Sequence, residues 1–324
     1  MKVWLVIIFV LVFGLIGLTV FNAAREKNGE GIKTEEATSE LTTSPQVSEL
    51  KGFSLSPKSF TAPDFTDFFV KANEGGDSIT GWAEIEQFAN AQSVPYVVVG
   101  LAKQYSYEPI ILVGLKNSNS FSDYEENLVS FVKDNKIDYL GIGVEVNRYT
   151  DYEGYVNAYA SLYDKVKEVS PNTKIFTVYQ YETFLGLNGG LFGGVNDEGN
   201  AQWDRLDDIS SDMIGFTTYP GLIYKDPNEI PVDYYAKITQ HTTKPIIFTE
   251  IGWFREGPTG WESSAKEQAQ FVEKYFDLTK ELDVKANIWT FLYDSDSQEF
   301  FRTMGLLKDN EETSLAFEAW KNSN

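Results

Sequence analysis

At 324 residues, with 42% apolar and 15% aromatic residues, the chain can form one large or two small domains around a full core. Its net charge of −21 at pH 7 argues against a nucleic-acid partner, which would need a basic face, and against adhesion of the folded part to anionic lipid. With no cysteine there are no disulfides, thiolate metal sites or cysteine nucleophile, and the single histidine, His241, argues against a multi-histidine metal centre or a Ser–His–Asp triad. No cofactor is expected.

Met1-Lys2 leads into an uncharged apolar run, Val3 to Phe21. A secretory core is about 7–15 residues and a spanning helix about 20, so residues 1–25 read as a signal peptide or, slightly favoured, an uncleaved anchor. Either reading places the remainder outside the cell or at its surface, with membrane contact through this segment only. Residues 26–50 are rich in Glu, Ser and Thr, lack an apolar period and read as a flexible linker. The folded domain is expected over residues 51–324, as a monomer.

Within it, short apolar runs alternate with helical periods. The expected strands are Gly52–Pro57, Ser78–Ala83, Pro109–Leu115, Tyr139–Val146, Lys174–Gln180, Met213–Tyr219, Pro245–Glu250 and Ala286–Phe291. Continuous apolar strands suit a parallel sheet covered on both faces. Between them Tyr155, Tyr159, Leu162, Val166 and Val169 keep a 3.6-residue period, as do Ala269, Val272, Phe276 and Leu282 behind the capping signature Ser264-x-x-Glu267. Ser122-x-x-Glu125 marks another helix start. Val94–Tyr107 carries a strand-like Val97-Val98-Val99, but Pro95 in a first turn and its length favour a helix. Eight strands then alternate with helices, which predicts an α/β fold with a single (β/α)8 barrel. His241 falls just ahead of the seventh strand, at the barrel end remote from chemistry.

Active sites of such barrels lie at the C-terminal ends of the strands. Two runs, Tyr139–Asn147 and Pro245–Trp253, each carry one carboxylate near that end, Glu145 and Glu250. A charge there is expensive to bury unless the site uses it. The two lie 250 − 145 = 105 residues apart, about three βα units of ~35 residues, so both should point into one cavity. The other strand ends supply Trp82 and Glu84, Gln180, Tyr219 and Trp289, with Asn147 and Trp253 just beyond the two carboxylates. Paired carboxylates among aromatic rings are the inventory of glycosidic bond cleavage. Glu182 and Asp294 read as solvated loop charges, and the glycines around Leu191-Phe192 as a mobile loop or a spacer.

Thr249-Glu250-Ile251-Gly252-Trp253 resembles the nucleophile strand of the clan A glycoside hydrolases, retaining (β/α)8 enzymes. Gly141-Ile142-Gly143-Val144-Glu145-Val146-Asn147 is similar to their acid/base strand, most closely that of the family 53 endo-β-1,4-galactanases. Tyr219-Pro220, Trp289 and the tail Gly305 to Trp320 are also similar to that clan. The resemblance implies Glu145 as acid/base, Glu250 as nucleophile, Tyr219 as hydrogen-bond partner of the nucleophile and Trp289 as sugar platform. Asn147, Gln180, Trp253 and Trp82 would complete binding of a β-linked polysaccharide or oligosaccharide. One position departs from the pattern. The clan has Asn immediately before the acid/base to hold the sugar 2-hydroxyl, and this chain has Val144, with Asn147 or Gln180 as substitutes. That departure keeps two alternatives open, a non-catalytic carbohydrate-binding barrel and a cell-surface interaction barrel.

Overall fold

The structure, a computed structural model, describes residues 49–59, 61–115, 121–295 and 300–323. The apolar run Val3–Phe21 and residues 26–48 of the expected linker lie outside the described residues. Among the described residues no helix is long and apolar enough to cross a membrane.

Eight parallel strands close into a barrel in chain order: β1 (Leu50–Ser54), β2 (Ser78–Glu84), β3 (Glu108–Gly114), β4 (Tyr139–Ile142), β5 (Lys174–Gln180), β6 (Met213–Thr218), β7 (Ile246–Ile251) and β8 (Val284–Trp289). The helices are α1 (Ala62–Ala72), α2 (Val94–Tyr105), α3 (Phe121–Asn135), α4 (Tyr152–Val169), the single turn α5 (Tyr181–Phe184), α6 (Ala265–Thr279) and α7 (Leu315–Asn322). The expected (β/α)8 architecture forms. Each strand separates two cores, which is why its sequence is apolar throughout. Ile110, Leu112, Phe176, Val178, Ile247 and Ile288 fill the barrel, while alternate residues such as Ile111, Tyr179 and Phe248 pack outward under the helices.

The ambiguous valine run is helical: Pro95 sits in the first turn of α2 and Ser106, at φ 62°, ends it. Ser264 caps α6 by accepting from Glu267 N–H at 3.2 Å. Ser122 does not cap α3. It lies inside the helix, and Glu125 instead accepts from Ser161 Oγ (2.9 Å) and Lys165 Nζ (2.5 Å), tying α3 to α4. Two crossovers also depart from strict alternation. Between β5 and β6, and between β6 and β7, only α5 and short 3-10 turns replace a full helix. Gly186, Gly189, Gly190, Gly193 and Gly194 crowd the first of these, and glycine disfavours a helix by about 1 kcal/mol per residue. His241, exposed and stacked on Trp203 at 4.1 Å between centroids, lies at the N-terminal end of β7.

Candidate active site

Alternation along β7 would give Glu250 the same face as Phe248, which packs outward against Tyr235 and Tyr275. A bulge prevents this. Phe216 of β6 pairs with Phe248, but the next residue, Thr217, pairs with Glu250, leaving Thr249 as the extra residue. Bulges re-aim side chains in this way. Glu250 thus shares the inward face of Thr217 and reaches the open end of the barrel, while Ile251, paired with Thr218, returns outward.

Glu145 arrives by a different route. β4 stops at Ile142, four residues short of the expected end, because Gly143 takes φ 81° and Glu145 itself takes φ 53°. A Cβ at Gly143 would lie 2.4 Å from Val146 Cγ1, so only glycine permits the turn. A non-glycine residue in the left-handed region is uncommon and clusters at functional sites. Glu145 opens a 3-10 turn, Val146–Arg148, closed by Arg148 N–H to Glu145 C=O at 2.9 Å.

The two carboxylates meet across β6. Thr217 Oγ1 donates to Glu145 Oε1 at 3.0 Å, although Thr217 is the register partner of Glu250. Arg148 Nη1 pairs with Glu145 Oε2 at 2.9 Å. On the other side Tyr219 donates its hydroxyl to Glu250 Oε2 and receives a bond from Thr290 Oγ1 at 3.3 Å. The Tyr219 ring packs close against the chain just after β7 because residue 252 is glycine, where a Cβ would approach the ring to 2.8 Å. Burial pushes the Glu250 carboxyl up to about 7; the Tyr219 bond pulls it back and the Glu145 charge raises it further. Burial, then the Glu250 and Glu145 charges among other groups, hold the Tyr219 phenol well above its usual range. Tyr149, whose hydroxyl accepts from Val144 N–H at 3.3 Å, is pushed up to about 12 by burial, with Glu84 and Glu145 adding to the rise.

The other expected binding residues separate into two groups. Trp82 is partly exposed and, like Val144, packs on the barrel-interior cluster. Trp253 and Trp289 are fully buried and belong to the core, which corrects their reading as sugar platforms. Trp253 stacks on Phe271 and donates its indole N–H to Ser263 Oγ at 3.0 Å; Trp289 packs against Phe271 and Trp320 and donates to Met304 C=O at 2.8 Å. Trp289→Ala is therefore expected to lower stability by about 3–5 kcal/mol, measured by denaturant unfolding, as a buried aromatic truncation.

Asn147 and Gln180 are also committed to the scaffold. The Asn147 amide bonds both backbone groups of Gln180, at 3.0 and 2.8 Å, and the Gln180 side chain bonds Thr183 N–H (2.6 Å) and Glu182. Neither amide is free to replace the missing Asn at Val144. Glu182 and Asp294 are not solvated loop charges. Glu182 is fully buried, and Asp294 pairs with the buried Arg255, burial raising its carboxyl to about 6 against that cation.

Aromatic surface that sequence reading did not single out comes from the loops. Phe192, after β5, lies 6.0 Å from the Arg148 guanidinium; Phe301, after β8, meets the Tyr219 ring edge-on at 5.2 Å. Trp261, after β7, is held by its indole N–H to Gly221 C=O at 2.6 Å. All three are partly exposed and pack on the cluster containing Tyr219. Irregular loops carry no periodicity from which such convergence could be read.

No family model matches the chain, and no curated protein matches it in sequence. Solved structures do resemble it. A family 39 glycoside hydrolase from Bacteroides cellulosilyticus WH2 superposes with a TM-score of 0.59 at 17% identity, over 84% of this chain and 62% of that one. The exo-β-1,4-mannosidase Op5Man5 from Opitutaceae bacterium strain TAV5 gives 0.64 at 10% identity, over 84% and 58%. An active-site mutant of the Rhizomucor miehei β-1,3-glucanosyltransferase, in complex with laminaritriose, gives 0.56 at 14%, over 82% and 94%. The chain spans about three-fifths of the length of the first two. At these identities the likeness establishes the barrel fold and does not single out family 53.

Proposed function

We propose that the chain is a retaining glycoside hydrolase that cleaves β-linked polysaccharide or oligosaccharide by double displacement. The observation that carries this reading is the Thr217 bridge: its hydroxyl holds Glu145 while its backbone pairs with the strand position of Glu250. Both carboxylates thus attach to one residue of β6, and the Glu145 charge raises the Glu250 carboxyl, which supports a close pair of the kind retaining enzymes use, ~5–5.5 Å apart. Glu250 attacks the anomeric carbon and Glu145 protonates the departing glycosidic oxygen. Glu145 then draws a proton from water as it hydrolyses the glycosyl–Glu250 ester. Tyr219 orients the nucleophile. Metal and redox groups have no step in this scheme. The resemblance of the Glu145 and Glu250 strands to family 53 supports an endo-acting, galactanase-like specificity, and the Val3–Phe21 run supports a site of action outside the cell, with the chain tethered where that run is retained.

Sugar stacking falls to the loop aromatics and Trp82. Phe192→Ala and Trp261→Ala are each expected to raise KM about 3–10-fold on an oligosaccharide, in line with ~0.5–1.5 kcal/mol per aromatic contact, with kcat and melting temperature little changed. Equal losses in kcat and no change in KM would remove these rings from binding.

One observation favours a second reading. Arg148 already holds Glu145, so Glu145 must exchange that cation for a proton before it can act as an acid. A barrel that binds carbohydrate without cleaving it would keep the pair intact. Assays of the wild-type chain on a panel of β-glycans separate the two: release of reducing ends supports the hydrolase, whereas oligosaccharide binding without turnover supports the binding barrel.

A further inference from the structure

Glu182 is the fully buried carboxylate behind the barrel wall. Its Oε1 accepts from Thr218 Oγ1 (2.9 Å), Tyr219 N–H (3.0 Å) and Tyr234 OH (3.0 Å), and its Oε2 accepts from Gln180 Nε2. Thr218, so oriented, accepts from Tyr235 OH at 2.8 Å. Among the described residues no lysine or arginine forms an ion pair with it. A buried anion satisfied only by dipoles is costly unless every donor is in place, so it constrains the groups that supply them.

Two of those groups lead to the cleft. Tyr219, held by its backbone N–H on Glu182, presents its hydroxyl to Glu250. Gln180, held by its side chain on Glu182, bonds through its backbone to Asn147, which belongs to the turn that Glu145 opens. We propose that Glu182 is a positioning residue that sets the Tyr219 hydroxyl on Glu250 and anchors the Glu145 turn through Gln180 and Asn147. The proposal rests on the glycosidase reading only for its meaning in catalysis. Burial pushes the Glu182 carboxyl up to about 7 although its donors pull it back, so its charge is poised close to neutral pH.

The test needs no substrate. Glutamate labelled with 13C at the δ-carbon reports the titration of Glu250, assigned by loss of its signal in Glu250→Gln. Because Tyr219 donation favours the charged form of Glu250, loosening that bond raises the midpoint. Deleting a nearby negative charge would lower it, so the sign identifies the route. In Glu182→Gln the Glu250 midpoint is expected to rise by about half a pH unit to one unit. It should rise likewise in Tyr219→Phe, and Glu182→Gln added to Tyr219→Phe should give no further rise. Tyr234→Phe, which removes one donor and keeps the carboxylate, provides a milder variant expected to shift in the same direction. A midpoint that stays in place or falls in folded Glu182→Gln or Tyr234→Phe overturns the proposal, as does an equal rise with and without the Tyr219 hydroxyl. Failure of the glycosidase reading would show separately, as absent turnover by the wild-type chain.

Discussion

Glu250→Ala is expected to lower kcat by about 10⁴-fold or more on any substrate the wild-type chain cleaves, measured as reducing-end release, since loss of an attacking group removes the covalent route. Azide fits the space the side chain leaves, and it should restore turnover while giving a glycosyl azide of inverted anomeric configuration, seen by NMR of the product. Glu145→Ala is expected to lose about 10²–10⁴-fold, the range for general acid–base catalysis, and to lose less on substrates with good leaving groups. The geometry that motivates this division is the Tyr219 bond on Glu250 and the Thr217 and Arg148 contacts on Glu145. Activity that survives in Glu250→Ala, or rescue with retained configuration, would place the nucleophile elsewhere.

The folded chain is expected to be more stable at pH 5 than at pH 8. Glu182 and Glu250 have folded values raised to about 7 from an ordinary 4.5, both chiefly by burial. Between those values the folded state binds more protons than the unfolded one, so stability falls as pH rises through the window. The contribution is complete below about 4.5 and gone above about 7. For the fully buried Glu182 a shift of about 2.5 units corresponds to about 3 kcal/mol at 1.36 kcal/mol per unit. Self-repulsion from the net charge of −21 weakens the folded state in the same direction as carboxylates ionise. At about 2–4 °C per kcal/mol for a domain of this size, the melting temperature should fall by on the order of 5–10 °C from pH 5 to pH 8. Glu182→Gln should flatten that slope. A melting temperature that rises across this interval would show that neither buried carboxylate keeps its proton in the folded state.

Much of the scaffold was legible because it depends on local rules. Apolar runs of strand length, separated by 3.6-residue periods, specify alternating βα units, and Pro95 settled an apolar stretch as a helix by disfavouring a strand interior. The full helices expected after β5 and β6 do not form: glycines interrupt the first segment, and in the second short 3-10 turns are enough to bury Tyr234, Tyr235 and Ile238 against the barrel. Charge asymmetry made Glu145 and Glu250 visible as anomalies at the ends of apolar runs.

By itself, then, the sequence determined the barrel, the end of it where chemistry could occur and the two carboxylates to consider. Tertiary structure decided what those residues can do. The bulge at Thr249 turns Glu250 from the helix side into the cleft, and a one-residue shift of register is invisible to pattern because each alternative leaves the run equally apolar. The positive φ at Gly143 and Glu145 swings the second carboxylate off its strand. Burial sent Trp253 and Trp289 into the core and Glu182 behind the wall, since which side of a strand end meets solvent depends on loops distant in the chain.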